Sequence, residues 1–218
     1  MLGLHVVFAV DRAGLVGEDG ETHHGVFDVG FLRHAPGMTV LCPVSCGELS
    51  QMLRWAVNEC SGPVAVRYPR GGDGEYTESC WDPEAPVICH RHGTQCAIVT
   101  YGTLVNEALS AADLLESQGI STSVVRLTKV GPLPVDALEA AIAGVSAVLI
   151  VEETARGAGI GPDLVYQLAD RMPDTAFAVR DLGGSYVTHG SLNKLYRHCG
   201  LDAGSVAAYA KEVLGYEN

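Results

Sequence analysis

Positive charge is scarce in this 218-residue chain: 14 Lys and Arg stand against 26 Asp and Glu, a formal charge of −12. That deficit excludes a polybasic nucleic-acid binder, whose affinity rests on neutralising phosphates. Long apolar runs are also lacking. None approaches the ~18–20 residues that span a bilayer, and the opening MLGLHVVFAVDR has no basic segment followed by a small-residue cleavage site. The expectation is a soluble, cytoplasmic protein with no membrane partner. There are no repeats or low-complexity tracts. A paired cysteine framework is absent too, because the seven cysteines (42, 46, 60, 80, 89, 96 and 199) are odd in number and scattered, which predicts reduced thiols. What is present is 47% hydrophobic against 18% charged residues, enough for one large or two small packed domains and too apolar for disorder.

The pattern alternates strands with helices. Apolar Leu4 to Val10 predicts a strand at the very start, followed by a Gly-rich polar loop over 11–25, a short helix over 26–34 and a strand over 38–42. Ser45 and Glu48 form an S-x-x-E capping box before a helix with Leu49, Met52, Leu53 and Ala56 at helical spacing. A third strand covers 63–68. Between about 71 and 92 periodicity lapses into Gly, Asp, Glu and Pro, which predicts a linker. A second unit follows, with strands at 96–100, 122–127, 147–151 and 176–180. Its helices are predicted at 105–118, at 162–171, 191–198 and 203–214, and between Pro134 and Gly144. The fold class is therefore α/β: two units of mostly parallel sheet flanked by helices, the first incomplete at its N-terminus. The domain expectation is a first unit over 1–75, a linker over 76–95 and a second unit over 96–218.

Parallel sheets bind ligands beyond the carboxyl ends of their strands. Two segments there carry chemistry. Asp11–Gly25 gathers Arg12, Asp19, His23 and His24 among four glycines, and Arg67-Tyr-Pro-Arg70 ends the third strand. Parallel topology brings Arg12 and Arg70 to one edge although 58 positions separate them. Two guanidiniums there suit a phosphate or carboxylate, since each is a rigid, permanently charged fork of donors. The competing reading pairs each arginine with one of the 26 carboxylates at the surface. Asp19 and His23 suit proton transfer, the carboxylate orienting an imidazole that titrates near neutrality.

The stretch Phe8-Ala-Val-Asp-Arg-Ala-Gly through Thr22-His-His-Gly-Val-Phe-Asp28, with Val66-Arg-Tyr-Pro-Arg-Gly71, closely resembles the 1-deoxy-D-xylulose-5-phosphate synthase family of the transketolase superfamily. The likeness continues through Tyr101-Gly-Thr-Leu, Gly131-Pro-Leu-Pro, Val151-Glu-Glu and Gly157-Ala-Gly-Ile-Gly161. It implies the end of a pyrimidine-binding domain plus a transketolase C-terminal domain. The implied reaction is the thiamine-diphosphate-dependent, decarboxylative joining of pyruvate to glyceraldehyde 3-phosphate, in isoprenoid precursor supply. By resemblance, Arg12 and Arg70 hold the substrate phosphate, Asp19 and His23 stand beside the reacting carbons, and His24 occupies a position where the family often has Gln. No counterpart of the cofactor-activating glutamate is seen. The resemblance thus implies a partner, an N-terminal part or subunit holding thiamine diphosphate and magnesium, and a homo- or hetero-oligomer.

Two motifs mimic other sites. Gly72-Asp-Gly74 with Asn106 imitates a magnesium-diphosphate motif but lies in the predicted linker, and Gly157–Gly161 lacks the last glycine of a dinucleotide fingerprint. The expectation is no metal at the first and a close helix–sheet approach at the second. The alternatives are the C-terminal subunit of a split transketolase or of a pyruvate dehydrogenase beta-like protein, and a non-catalytic metabolite-binding chain.

Overall fold

The structure, a computed structural model, describes residues 4–77 and 80–216. Strands β1 (Val7–Val10), β2 (Thr39–Leu41) and β3 (Val64–Arg67) pair in parallel with β3 in the middle. Helices α1 (Asp28–Arg33) and α2 (Cys46–Asn58) connect them. The second sheet contains β4 (Val87–Arg91), β5 (Cys96–Tyr101), β6 (Thr122–Leu127), β8 (Ala147–Val151) and β9 (Ala176–Arg180), in the order β4-β6-β5-β8-β9. Its helices are α3 (Val105–Glu116), α4 (Val135–Ala141), α5 (Gly161–Leu168), α6 (Leu192–Cys199) and α7 (Ala203–Val213). β5, β6 and β8 are buried along their whole length, as expected of parallel strands covered on both faces. No helix among the described residues is long and apolar enough to cross a membrane.

Two strands depart from the sequence expectation. The segment 76–95, read as linker, contains β4, which pairs antiparallel with β6 from Val87↔Leu127 onward. Its half-buried edge position tolerates His90 and Arg91, and these interrupt the apolar pattern that marks a strand. Residues 78 and 79 of that segment lie outside the described residues. The other strand, β7 (Lys129–Gly131), crosses from the second half of the chain to pair antiparallel with β2, Val40 facing Gly131. Three residues carry no readable period.

These strands interlock the two units. One core cluster joins Val29, Val40 and Ala65 to Val99, Val125 and Ile150. Across the same junction Arg126 donates both terminal nitrogens to the Glu48 carboxylate at 2.9 Å, with each side chain 1% exposed. The capping box is correspondingly altered. Ser45 Oγ accepts from the Glu48 N–H at 3.2 Å, but the Glu48 carboxylate serves Arg126 and the Val44 N–H, 2.7 Å away. All seven cysteines are free thiols. Cys42 and Cys96 behave as small core residues, and burial pushes both thiols up to about 12. Among the described residues β1 is an edge strand, led into by exposed Leu4 and Val6 and itself carrying exposed Phe8.

Candidate active site

Because β1 and β3 are parallel neighbours in the register Val10↔Arg67, the segments that follow them leave the sheet side by side. The contact continues beyond the strands, where the Ala13 N–H donates to the Tyr68 carbonyl at 3.0 Å. Arg12 and Arg70 consequently converge on a single carboxylate. Asp19 places one oxygen 2.6 Å from an Arg70 terminal nitrogen and the other 3.7 Å from Arg12 Nε. Arg12 also pairs with the neighbouring Asp11. The side chains are 41%, 52% and 27% exposed for Arg12, Arg70 and Asp19, so solvent screens these pairs and an incoming anion can compete for the guanidiniums. Arg70 borders an open cleft of about 390 Å³, lined also by Thr103, Asn106 and Tyr196.

The loop that presents Arg12 and Asp19 has an unusual backbone. Arg12 itself sits at φ 59°, and Gly14, Gly17 and Gly20 are all left-handed. For a non-glycine residue this conformation costs about 1–3 kcal/mol and persists only where the surroundings impose it. Asp19 ends a single 3₁₀ turn, Gly17–Asp19. His23 follows, exposed, its backbone N–H donating to the Gly20 carbonyl and its Nδ1 lying 2.9 Å from Thr22 Oγ1. Asp19, read from sequence as the orienting partner of His23, instead directs both carboxylate oxygens to the arginines. His24 has a structural part: its Nδ1 accepts from the Val16 N–H at 3.0 Å, which puts the ring proton on Nε2.

Beneath the loop lies a buried polar layer. Arg67, 5% exposed, donates from Nε to Asp28 at 2.7 Å and from a terminal nitrogen to the Gly25 carbonyl at 2.9 Å, which ties down the end of the loop. Glu153, just beyond β8, accepts from the Leu15 N–H at 3.1 Å. Its neighbour Glu152 accepts from Tyr101 Oη at 3.1 Å and from the Ile160 and Gly161 N–H groups at 2.8 and 3.1 Å. Burial raises both carboxyls above the usual range, and these donors partly oppose the shift. Sequence reasoning about chemistry passed over Glu152, Glu153, Arg67 and Asp28. The available signal was a pair of acids directly after the wholly apolar β8, where a surface explanation fits poorly.

The two mimicking motifs are occupied by the protein's own groups. Asp73 accepts from the Cys46 N–H at 2.6 Å, at the start of α2. Asn106 accepts from the Tyr76 N–H and donates to the Thr103 carbonyl, both at 2.8 Å. Among the described residues no group of three or more His, Cys, Asp or Glu is placed to hold a metal ion. The glycines of 157–161 admit Glu152: a Cβ on Gly159 would stand 2.0 Å from its carboxylate, and one on Gly161 would meet Val179 at 2.5 Å. This is the close helix–sheet approach expected from the sequence.

Comparison with known proteins assigns both halves of the chain to domain families. The model of the transketolase pyrimidine-binding domain matches residues 2–72, and that of the transketolase C-terminal domain matches 86–206. The chain is 40% identical over 215 residues to the 1-deoxy-D-xylulose-5-phosphate synthase of Chlorobium luteolum, covering 96% of this chain and 34% of the relative. It is 42% identical over 223 residues to that of Magnetococcus marinus, covering 97% and 35%. The chain thus spans about a third of the length of the curated relatives it matches. A solved structure described as a split gene transketolase, an inactive beta4 tetramer, superimposes with a TM-score of 0.85 at 25% identity, covering 99% of this chain and 69% of that one. A transketolase mutant from Pichia stipitis shares the fold, with a TM-score of 0.76 at 17% identity over 98% of this chain and 30% of that one. With one domain model matching the part that bears Arg12, Asp19, His23 and Arg70 and the other matching more than half of the chain, the chain belongs to the transketolase family.

Proposed function

We propose that this chain is the acceptor-phosphate half of a 1-deoxy-D-xylulose-5-phosphate synthase working in the cytoplasm. In this reading pyruvate is decarboxylated and its two-carbon unit joined to glyceraldehyde 3-phosphate. The convergence of Arg12 and Arg70 on one exchangeable carboxylate carries the reading. A phosphate monoester replaces Asp19 between the guanidiniums and accepts charge-assisted hydrogen bonds from both. Its binding energy holds the aldehyde within reach of the reacting carbon. The exposed His23 imidazole moves a proton at the aldehyde oxygen, and the displaced Asp19 balances its charge.

The residues present do not fit a site for the cofactor's diphosphate and magnesium, because Asp73 and Asn106 are committed to α2 and to the Tyr76 loop. Thiamine diphosphate, which supplies the electron sink of this chemistry, is therefore assigned to an N-terminal part or subunit. Such a partner would cover the β1 edge and make the working enzyme an oligomer.

The test mixes the full chain with an N-terminal polypeptide that binds thiamine diphosphate and magnesium, then follows carbon dioxide release from pyruvate with glyceraldehyde 3-phosphate. Activity is expected from the mixture and from neither component alone, and turnover by the 218 residues alone overturns the half-site reading. The similarity to a split-gene transketolase favours a second reading, in which this chain is the C-terminal subunit of a ketol-transferring enzyme. Transfer from a ketose phosphate without carbon dioxide release would support it.

A further inference from the structure

We propose that Glu153 is a positioning residue that holds the Arg12–His23 loop in its phosphate-binding conformation, an inference that rests on the acceptor-phosphate reading for its functional consequence. The loop has four left-handed residues, Arg12, Gly14, Gly17 and Gly20, and its only regular element is one 3₁₀ turn. Gly14 and Gly25 close its base through paired bonds of 2.8 and 2.9 Å, and contacts from outside add to them. The second unit supplies these contacts at three consecutive places. The Glu153 carboxylate, on a residue 8% exposed, accepts from the Leu15 N–H at 3.1 Å. The Gly190 N–H donates to the Gly17 carbonyl at 3.2 Å. His189 packs where a Cβ on Gly20 would come within 3.3 Å.

Glu153 is the central contact. The backbone at Gly14 lies against its carboxylate so closely that a Cβ there would stand 2.7 Å away. The Tyr196 side chain, from α6, stands beside the same carboxylate, whose charge adds to burial in pushing the phenol above its ordinary range. Leu15 is itself 3% exposed and belongs to a core cluster with Leu195 and Tyr196. Its N–H loses its acceptor when the carboxylate is removed. Leu15 lies between Arg12 and Asp19, so a shift there separates the guanidinium from its carboxylate without touching either.

The experiment compares Glu153→Ala, Glu153→Gln and Tyr196→Phe. Amide hydrogen exchange is first measured on the full chain without ligand. Glu153→Ala is expected to speed exchange at residues 15–20 at least tenfold while β5 and β8 stay protected, and Tyr196→Phe, which removes only a hydroxyl, to do so less. Glu153→Gln is expected to behave as the parent, since its amide oxygen still accepts from Leu15. Loop exchange unchanged in Glu153→Ala, or Glu153→Gln as disrupted as Glu153→Ala, would overturn the proposal. In the reconstituted mixture, Glu153→Ala is expected to raise the KM for glyceraldehyde 3-phosphate at least fivefold with the KM for pyruvate unchanged, and Glu153→Gln to restore it. Faster loop exchange with an unchanged acceptor KM would leave the clamp standing and overturn the acceptor-phosphate reading instead.

Discussion

Two of the arginine–carboxylate assemblies in this molecule differ in one physical variable, access to water. Arg126 and Glu48 are each 1% exposed and meet through two parallel bonds of 2.9 Å across the junction of the units. Arg12 and Arg70 share Asp19 at the surface through contacts of unequal length. Burial makes the first a permanent clamp, since breaking it strands a charge in a low-dielectric interior. Exposure makes the second cheap to rearrange, because water and salt replace whatever is lost. A site that exchanges a resident carboxylate for a substrate phosphate requires the second kind, on a frame held rigid by the first.

The comparison is broken most directly at the clamp. Glu48→Ala leaves Arg126 uncompensated and is expected to cost about 3–5 kcal/mol in urea unfolding. A loss below about 1 kcal/mol would place the buried pair in the same class as the surface one. The clamp also predicts a pH dependence. Arg126 donates from Nε to His90 Nε2 at 3.1 Å, and desolvation, then the guanidinium charge, depress the His90 pKa from 6.5 to about 4. The folded state therefore prefers neutral His90, so this contribution is complete above pH 6.5 and is lost as pH falls towards 4. After discounting for partial exposure it amounts to about 1–2 kcal/mol. Stability curves of the parent and His90→Gln, which keeps an acceptor for Arg126, should run together above pH 6.5 and separate as pH falls towards 4, the parent losing more.

At the open pair the effects are smaller. Asp19→Asn removes the resident competitor and is expected to tighten binding of inorganic phosphate by up to about fivefold, the worth of a surface ion pair. Weaker binding would show that Asp19 helps rather than competes. Arg70→Ala is expected to change unfolding stability by less than about 1 kcal/mol. A larger loss would give Arg70 a structural role and weaken the contrast.

The open site was the more legible of the two in the sequence. Arg12 and Arg70 follow parallel strands, and parallel order alone brings strand ends to one edge, whatever the side chains do. The helix after Ser45 and the wholly apolar β8 were readable for similarly local reasons. The clamp was not. Glu48 fits a capping box by its spacing, and only tertiary packing reveals that its carboxylate serves Arg126. β7 is too short to show a period, and β4 hides its strand character behind His90 and Arg91. Glu152 and Glu153 owe their partners to glycines whose missing Cβ atoms let backbone approach the carboxylates, a relation between distant segments. The left-handed Arg12 was equally invisible, because its conformation is set by contacts on either side of the loop.

The central claim is that two guanidiniums brought together by parallel topology form one phosphate site. It is tested most directly by the KM for glyceraldehyde 3-phosphate in the reconstituted mixture, measured separately for Arg12→Ala and Arg70→Ala. Loss of a charge-assisted contact worth about 1.5–3 kcal/mol predicts a rise of about ten- to a hundredfold for each variant, with the KM for pyruvate unchanged. An acceptor KM that stays at the parent value in either variant would contradict the account.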